Sequence, residues 1–290
     1  TPSPPRSGGL NRRQFALRVA HGVPLLLGST SALYGALVGR HDYTIEDVPV
    51  RLPGLSPRLD GYTIAQLSDI HFGTFVEDAE LEAAASLVRR ARPDLIVLTG
   101  DLVDHDPRYA DHLGRLARRL RPLARDGVVA VPGNHDYYAG IDAVLEMLRR
   151  AGARVLFNQG RVVGDRGGAF ALLGVDDIWS PRNGTGPGPD LDRALGMVPP
   201  DLPRVLLCHN PAYFPEAADR VQLQLSGHTH GGQVNVGVRL ADLVLPYGYV
   251  AGRYRRGESL LYVNRGFGTA GPPARIGAAP EVTRIVLTAS

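Results

Sequence analysis

The segment VQLQLSGHTHGGQ, residues Val221–Gln233, places an apolar run directly before a glycine-flanked turn that carries two histidines. The apolar run Val221–Ser226 predicts a β-strand, so His228 and His230 would follow its carboxyl end. Glycines around the histidines permit backbone conformations closed to other residues and keep side-chain bulk away from the turn. Paired imidazoles in this position indicate a binding site if other parts of the chain supply further ligands.

Outward from this segment, short apolar runs alternate with stretches of helical periodicity, which predicts a mixed α/β domain from about Ile45 onward. Helices are predicted to begin at Glu77, Pro107 and Gly140, and a surface loop is predicted over Ser180–Asp190. The predicted strands are Tyr62–Ser68, Asp94–Gly100, Gly127–Gly133, Ala153–Phe157, Ala169–Val175, Arg204–Cys208, Val221–Ser226, Ser259–Arg265 and Thr283–Thr288.

Metal-capable side chains follow several of these strands. Because ligand sites in open α/β sheets gather outside the carboxyl ends of the strands, we expect these side chains to converge. Each residue alone has a commoner explanation as a helix cap, a turn residue or a hydrogen-bonded core histidine, but the conjunction favours one site. The stretches are SDIHFG with Asp69 and His71, GDLVDH with Asp101, Asp104 and His105, GNHD with Asn134 and His135, HN with His209, and GHTH with His228 and His230.

The number of candidate ligands predicts a centre with two ions. Seven candidates exceed the needs of one tetrahedral ion and suit two ions that share a bridging carboxylate. Mixed imidazole and carboxylate donors argue against magnesium and calcium and leave manganese, iron, zinc, cobalt and nickel open. The expected cofactors are therefore two divalent metal ions, held by Asp69, His71, Asp101, Asn134, His209, His228 and His230.

Composition excludes several other classes of protein. With 290 residues, of which 44% are hydrophobic and 21% charged, the chain has the make-up of an ordinary globular protein. The net charge is only +3 and the arginines are scattered between acids, so we expect no specific nucleic-acid binding. A single cysteine, Cys208, rules out an intramolecular disulfide and a cysteine zinc cluster.

The N-terminus has the pattern of a targeting segment. The stretch Asn11–Arg18 contains the twin arginines Arg12 and Arg13, and His21–Gly39 then runs without an acid, lysine or arginine. We expect residues 1–40 to be a disordered N-terminus with a twin-arginine-type signal peptide or signal-anchor, and residues 41–290 to be the catalytic domain. The expected route is export through the twin-arginine translocation machinery to an extracytoplasmic, periplasmic, cell-wall or membrane-anchored location. Cleavage stays open, and the uncleaved segment would associate with the membrane.

Five short blocks, DIH, GDLVD, GNHD, HN and GHTH, match the signature blocks of the calcineurin-like metallophosphoesterases in order and spacing. The resemblance covers roughly Tyr62 to Thr288. The chain more closely resembles the YkuE/YaeI-like phosphodiesterase branch, through LSDIHFG, SGHTHGGQ and the C-terminal stretch Leu261–Leu287. This resemblance implies a four-layer αββα fold, in which helices flank a two-sheet β-sandwich.

The resemblance also implies a role for each site residue. Asp69, His71 and His230 would hold the first ion, Asn134, His209 and His228 the second, and Asp101 would bridge them. A hydroxide bridging the two ions would attack phosphorus and hydrolyse a P–O bond. His135 would face the substrate and give a proton to the leaving oxygen, with Asp104 orienting its imidazole.

One difference from related phosphatases bears on the substrate class. Protein serine/threonine phosphatases that resemble this family carry an arginine directly after the aspartate of the second block, where it grips a terminal phosphate. His105 occupies that position here, which favours a phosphodiester substrate, envelope or lipid-linked, over a monoester. The sequence thus predicts an exported metal-dependent phosphodiesterase. Two alternatives stay open, a pyrophosphatase of the UDP-diacylglucosamine type and a catalytically silent binding protein on the same fold.

Overall fold

The computed structural model of the protein describes residues 28–76, 78–235, 239 and 241–289. The predicted twin arginines, the first part of the uncharged stretch after them and the predicted helix start at Glu77 lie outside the described residues. A helical segment at residues 28–37 precedes the first strand. Within the described part of the chain, we find no helix with the length and apolarity needed to cross a bilayer.

The described chain folds into two six-stranded sheets with helices between the strands. The strands are Thr44–Arg51 (β1), Tyr62–Leu67 (β2), Leu95–Thr99 (β3), Val128–Val131 (β4), Arg154–Val155 (β5), Gln159–Asp165 (β6), Gly168–Gly174 (β7), Arg204–Leu207 (β8), Leu223–Ser226 (β9), Gly252–Arg256 (β10), Ser259–Val263 (β11) and Glu281–Thr288 (β12). The helices after residue 37 are Asp78–Ala91 (α1), Ala110–Leu120 (α2), Asn134–Tyr138 (α3), Ile141–Arg150 (α4), Leu191–Leu195 (α5), Phe214–Ala217 (α6) and Ala241–Val244 (α7).

Each sheet has a parallel centre. The first sheet has the order β1-β12-β2-β3-β4-β5, with β2, β3, β4 and β5 parallel. The second has the order β10-β11-β9-β8-β7-β6, with β11, β9, β8 and β7 parallel. Parallel neighbours end at the same edge of their sheet, so the loops after β2, β3 and β4 lie together, as do the loops after β8 and β9.

Alternation of side chains along the strands builds the layers. In β2, Ile64 packs into the core between the sheets, whereas Leu67 packs into the core that faces helices. Leu113, Leu116 and Leu120 form the apolar stripe of α2 that covers this outer face. On the second sheet, Leu206 of β8 faces outward toward Leu191 of α5, while Val205 faces inward. The predicted αββα arrangement is therefore confirmed.

Three strands, β1, β6 and β10, are absent from the sequence prediction. All three lie at a sheet edge, and their side chains are largely half-buried or exposed. Edge strands of this kind lack the continuous apolar run that marks a strand buried on both faces. The predicted loop at Ser180–Asp190 is free of strand and helix.

Candidate metal centre

The predicted ligands lie at the carboxyl ends of β2, β3, β4, β8 and β9, where the two sheets meet. Backbone hydrogen bonds continue the parallel pairing into these loops, from Asp69 N–H to the Gly100 carbonyl (3.0 Å) and from His71 N–H to the Asp101 carbonyl (3.0 Å). In the second sheet, Gly227 N–H donates to the His209 carbonyl over 2.9 Å. These hydrogen bonds therefore fix the loops that carry the ligands against one another just beyond the strand ends.

One group of ligand atoms comes from Asp69, His71 and His230, and each atom lies within 4.8 Å of the others. The Nε2 atoms of His71 and His230 are 3.0 Å apart, and His230 Nε2 lies 3.4 Å from Oδ1 of Asp69. All three side chains are buried. A cation is the natural partner for two imidazole nitrogens and a carboxylate that face one another in this way.

A second group comes from Asp101, His209 and His228, again with ligand atoms within 4.8 Å. Nε2 of His209 lies 3.2 Å from Oδ2 of Asp101 and 3.2 Å from Nδ1 of His228. Oδ2 of Asp101 also lies 3.7 Å from Nε2 of His71, so this carboxylate connects the two groups. Asn134 is buried, and its Oδ1 has no hydrogen-bond partner.

The outer hydrogen bonds of the histidines test whether these residues fit divalent cations. Nδ1 of His209 lies 2.8 Å from the Thr99 carbonyl, and Nδ1 of His71 lies 3.3 Å from Oδ1 of Asp104. Both contacts place the proton on Nδ1 and leave the Nε2 lone pair for a ligand bond. Burial, followed by repulsion from His209, lowers the pKa of His228 to about 3. Burial opposes protonation of His209, but the Asp101 carboxylate raises its pKa, so a cation would take the place of the proton between these two residues. Ring nitrogens that face one another and an unpartnered Asn134 oxygen fit divalent cations.

The backbone at the candidate ligands is unusual. Asp69, His71, Asp101, His228 and His230 have φ between 51° and 74°, a region that few residues other than glycine adopt. Such conformations cost about 1–3 kcal/mol each and cluster at functional sites. Glycine is required beside them because a methyl group at Gly227 would overlap the side chains of Ser68 and Asp69. The surrounding fold therefore holds this ligand set against local conformational preference.

The carboxylate of Asp104 contacts three histidines at the rim of the site. Its carboxylate lies 3.0 Å from Nδ1 of His135, 3.3 Å from Nδ1 of His71 and 2.8 Å from Nδ1 of His105. Burial opposes ionisation, but hydrogen bonds from His135, His71 and His105 hold the pKa of Asp104 well below its usual range. Burial likewise opposes protonation of His135, but the hydrogen bond to Asp104 raises its pKa. The arrangement therefore favours a charged His135 beside an ionised Asp104.

The sequence analysis missed two residues that order the site. Asp136 accepts hydrogen bonds from the backbone N–H groups of Leu102, Val103 and Gly133 and so joins the second and third blocks. Its position inside GNHD was visible, but two of its three partners, Leu102 and Val103, lie more than 30 residues away in sequence.

Arg275 is the second residue that the sequence analysis missed. Its guanidinium is buried, donates to the carbonyls of Gly268 and Arg265, and lies 3.2 Å from Nδ1 of His230. It therefore braces the outer side of the His230 ring. Nothing in the surrounding stretch GPPARIG predicts this role.

Comparison with known proteins identifies the family. The model of the calcineurin-like phosphoesterase family matches residues 62–232, a range that contains every candidate ligand, Asp104 and His135. A metallophosphoesterase of Aquifex aeolicus (strain VF5) is 33% identical over 91% of this chain and 97% of its own length. The metallophosphoesterase YkuE of Bacillus subtilis (strain 168) is 32% identical over 79% of each chain. The phosphodiesterase YaeI of Escherichia coli (strain K12) is 31% identical over 96% of this chain and 99% of its own. The chain belongs to the calcineurin-like phosphoesterase family.

Proposed function

We propose that this protein is a phosphodiesterase that uses two divalent cations. The observation that carries the proposal is the position of Asp101, whose carboxylate lies between the two ligand groups, within 3.7 Å of His71 and 3.2 Å of His209. Asp69, His71 and His230 would hold one ion, and Asn134, His209 and His228 the other. Manganese, iron, zinc, cobalt and nickel all suit these mixed donors.

The chain's own residues would position the substrate and move a proton. Divalent cations at this site would neutralise charge on the phosphoryl oxygens and lower the pKa of a nearby water. Asp104 holds Nδ1 of His135 over 3.0 Å, which leaves Nε2 of His135 free to donate to the leaving oxygen. A charged His135 is a competent donor, and Asp104 would act by keeping it charged and oriented.

The preference for a diester rests on His105. Its imidazole lies beside the rings of His135 and Tyr138, with 63% of its side chain exposed. An arginine at this place could bind two oxygens of a terminal phosphate through its planar fork, whereas an imidazole offers one donor toward the substrate. Without this bidentate contact, binding of a doubly charged monoester is weakened more than binding of a singly charged diester.

The direct test is hydrolysis of bis-p-nitrophenyl phosphate and p-nitrophenyl phosphate with Mn²⁺ added. We expect faster cleavage of the diester, abolished in Asp101→Ala and retained in Asp201→Ala, which removes an exposed aspartate outside the site. Faster cleavage of the monoester would contradict the proposed preference. Absence of cleavage of both compounds by a metal-loaded protein would favour the silent binding protein, and selective cleavage of a nucleotide-linked pyrophosphate would favour the pyrophosphatase.

We also propose that residues 1–40 direct export by the twin-arginine route and can hold the protein at a membrane, which fits an envelope or lipid-linked diester. In support, the described helical segment at residues 28–37 exposes large apolar side chains, with Leu33 59% and Leu37 64% exposed. Cell fractionation would test this with Arg12→Lys combined with Arg13→Lys. Retention of the variant in the cytoplasm is expected, and unchanged export would contradict the route.

A further inference from the structure

A cleft of about 460 Å³ opens directly beside His228. Its walls come from three segments far apart in sequence: the loop after β7 with Trp179 and Arg182, the stretch after β8 with Tyr213, and the described residues around Tyr247. The volume lies within the usual range for small-molecule sites, about 300–1,000 Å³. His228 belongs both to the second ligand group and to the wall of this cleft, so the cleft begins at the metal centre.

The ring of Trp179 lines the cleft directly beside His228. The indole of Trp179 meets the His228 imidazole edge to face, with centroids 5.6 Å apart and planes at 70°. Its backbone N–H donates to Oδ1 of the buried Asp177 over 2.8 Å, which anchors the loop that carries it. Trp179 remains 38% exposed although it is large and largely apolar. A ring held at this place and left open to solvent is available to a substrate.

A second segment of the lining contributes the aromatic rings of Tyr247 and Tyr249. Tyr247 is 65% exposed, has φ of 63° and stacks on Tyr249 at 5.7 Å. Tyr249 in turn packs against Phe214 and Tyr254 at 5.9 and 5.0 Å. The hydroxyl of Thr229, between the two histidines of the turn, donates to the Val250 carbonyl and ties this segment to the metal centre. The exposed ring of Tyr247 is therefore supported by Tyr249, which itself packs against two further rings.

We propose that this cleft binds a planar aromatic group, of one or two rings, attached to the phosphodiester. The inference rests on the proposed function, because it places the phosphorus at the centre and one ester substituent beside Trp179. Ring faces favour a planar partner through stacking, and Arg182 at the rim adds a cation able to lie over such a ring. A saturated chain would be better matched by walls of aliphatic side chains. Among the described residues that line the cleft, Ile178 and Leu245 are the two large aliphatic ones.

Binding can be measured without turnover because Trp179 is the single tryptophan of the chain. Its fluorescence would be followed during titration with benzyl(methyl)phosphinate and with (cyclohexylmethyl)(methyl)phosphinate, whose substituents are joined to phosphorus by carbon and cannot be hydrolysed, with Zn²⁺ present. The two compounds differ in planarity but hardly in size. We expect the benzyl compound to change the emission and to bind about tenfold more tightly, in line with the effect of ring stacking. Equal affinity for the two compounds, or an unchanged emission, would overturn the proposal.

Variants locate the binding surface. Tyr247→Ala should weaken the binding of benzyl(methyl)phosphinate about tenfold in the same titration. Phe75→Ala, which removes another exposed ring away from the cleft, should leave the affinity unchanged. Calorimetry extends the test to Trp179→Ala, expected to lose affinity, and Trp179→Phe, expected to keep most of it.

A loss that is the same in Phe75→Ala as in Tyr247→Ala would also overturn the proposal. Failure of the protein to hydrolyse diesters would contradict the proposed function alone, because these measurements do not depend on turnover.

Discussion

The Nδ1 atom of His135 lies 3.0 Å from Oδ1 of Asp104, and the same oxygen lies 3.3 Å from Nδ1 of His71. One carboxylate thus contacts both a candidate proton donor and a candidate metal ligand. The contact raises the pKa of His135 against the opposing effect of burial. This relationship predicts that proton donation and metal binding depend on one side chain.

Removing the proposed proton donor should lower kcat most for substrates with poor leaving groups. We expect His135→Ala to lower kcat about 10²–10⁴-fold for methyl phenyl phosphate, whose leaving oxygen needs a proton. The loss should be much smaller for methyl p-nitrophenyl phosphate, because p-nitrophenolate leaves without one. Tyr138→Phe is the control, since it alters a ring beside His135 and keeps the imidazole. Equal losses for both substrates would contradict a proton-donating role.

Replacing the residue at the rim should change the substrate preference. His105→Arg supplies a fork for a terminal phosphate, so kcat/KM for p-nitrophenyl phosphate relative to the diester should rise about tenfold, as expected for a charge-assisted hydrogen bond. His105→Gln removes the imidazole without adding charge and should leave the ratio near its original value. If arginine and glutamine have the same effect, His105 does not determine the preference.

Removing metal should destabilise the fold, because the proposed ions would join loops from both sheets and would bind to the native state alone. A ligand present at about 100 times its Kd stabilises by about 2.7 kcal/mol, which corresponds to a fall of about 5–10 °C in the thermal midpoint on chelation. Circular dichroism with and without EDTA would measure the fall. It should be smaller in Asp101→Asn, and an identical midpoint in wild-type protein with and without chelator would count against a structural contribution from metal.

Asp177 should make stability depend on pH. Its side chain is fully buried, Oδ2 has no hydrogen-bond partner, and burial raises its pKa to about 6. The folded state therefore binds a proton more tightly than the unfolded state, so the stabilising contribution is complete below pH ~4 and is lost as the pH rises through about 6.

Asp177→Asn keeps the oxygen that accepts from Trp179 and removes the charge. It should raise the free energy of unfolding in urea by about 2 kcal/mol at pH 7.5, with little gain at pH 4. EDTA would be present, so that bound cations do not alter the pKa. Asp201→Asn, at an exposed position, should have no effect at either pH. A gain that is equal at both pH values would contradict the buried-charge explanation.

The strands that carry the site could be predicted from the sequence for a physical reason. β2, β3 and β8 contact the inner core on one face and a helix-covered core on the other, so their residues form continuous apolar runs. The polar stretch that follows each run then marks its carboxyl end. β1 and β6 lie at sheet edges with largely exposed or half-buried side chains, and their patterns gave no comparable signal.

The remaining parts of the site depend on contacts between segments that are distant in sequence. Arg275 acts through carbonyl oxygens of other loops, which every residue type supplies equally, so no pattern marks it. The cleft beside His228 combines residues near positions 180, 213 and 247, and only the folded chain brings them together. The candidate ligands could therefore be predicted from short local blocks of sequence. The residues that contact those ligands, and the walls of the cleft, are determined by tertiary structure.

Asp101 is proposed to join two ions, and electron paramagnetic resonance of the Mn²⁺-loaded protein, with parallel elemental analysis, tests this bridge most directly. The proposed centre predicts two manganese ions per chain and an exchange-coupled signal, which Asp101→Asn should convert to uncoupled Mn²⁺. One ion per chain, or two ions with an uncoupled spectrum in the wild-type protein, would contradict it.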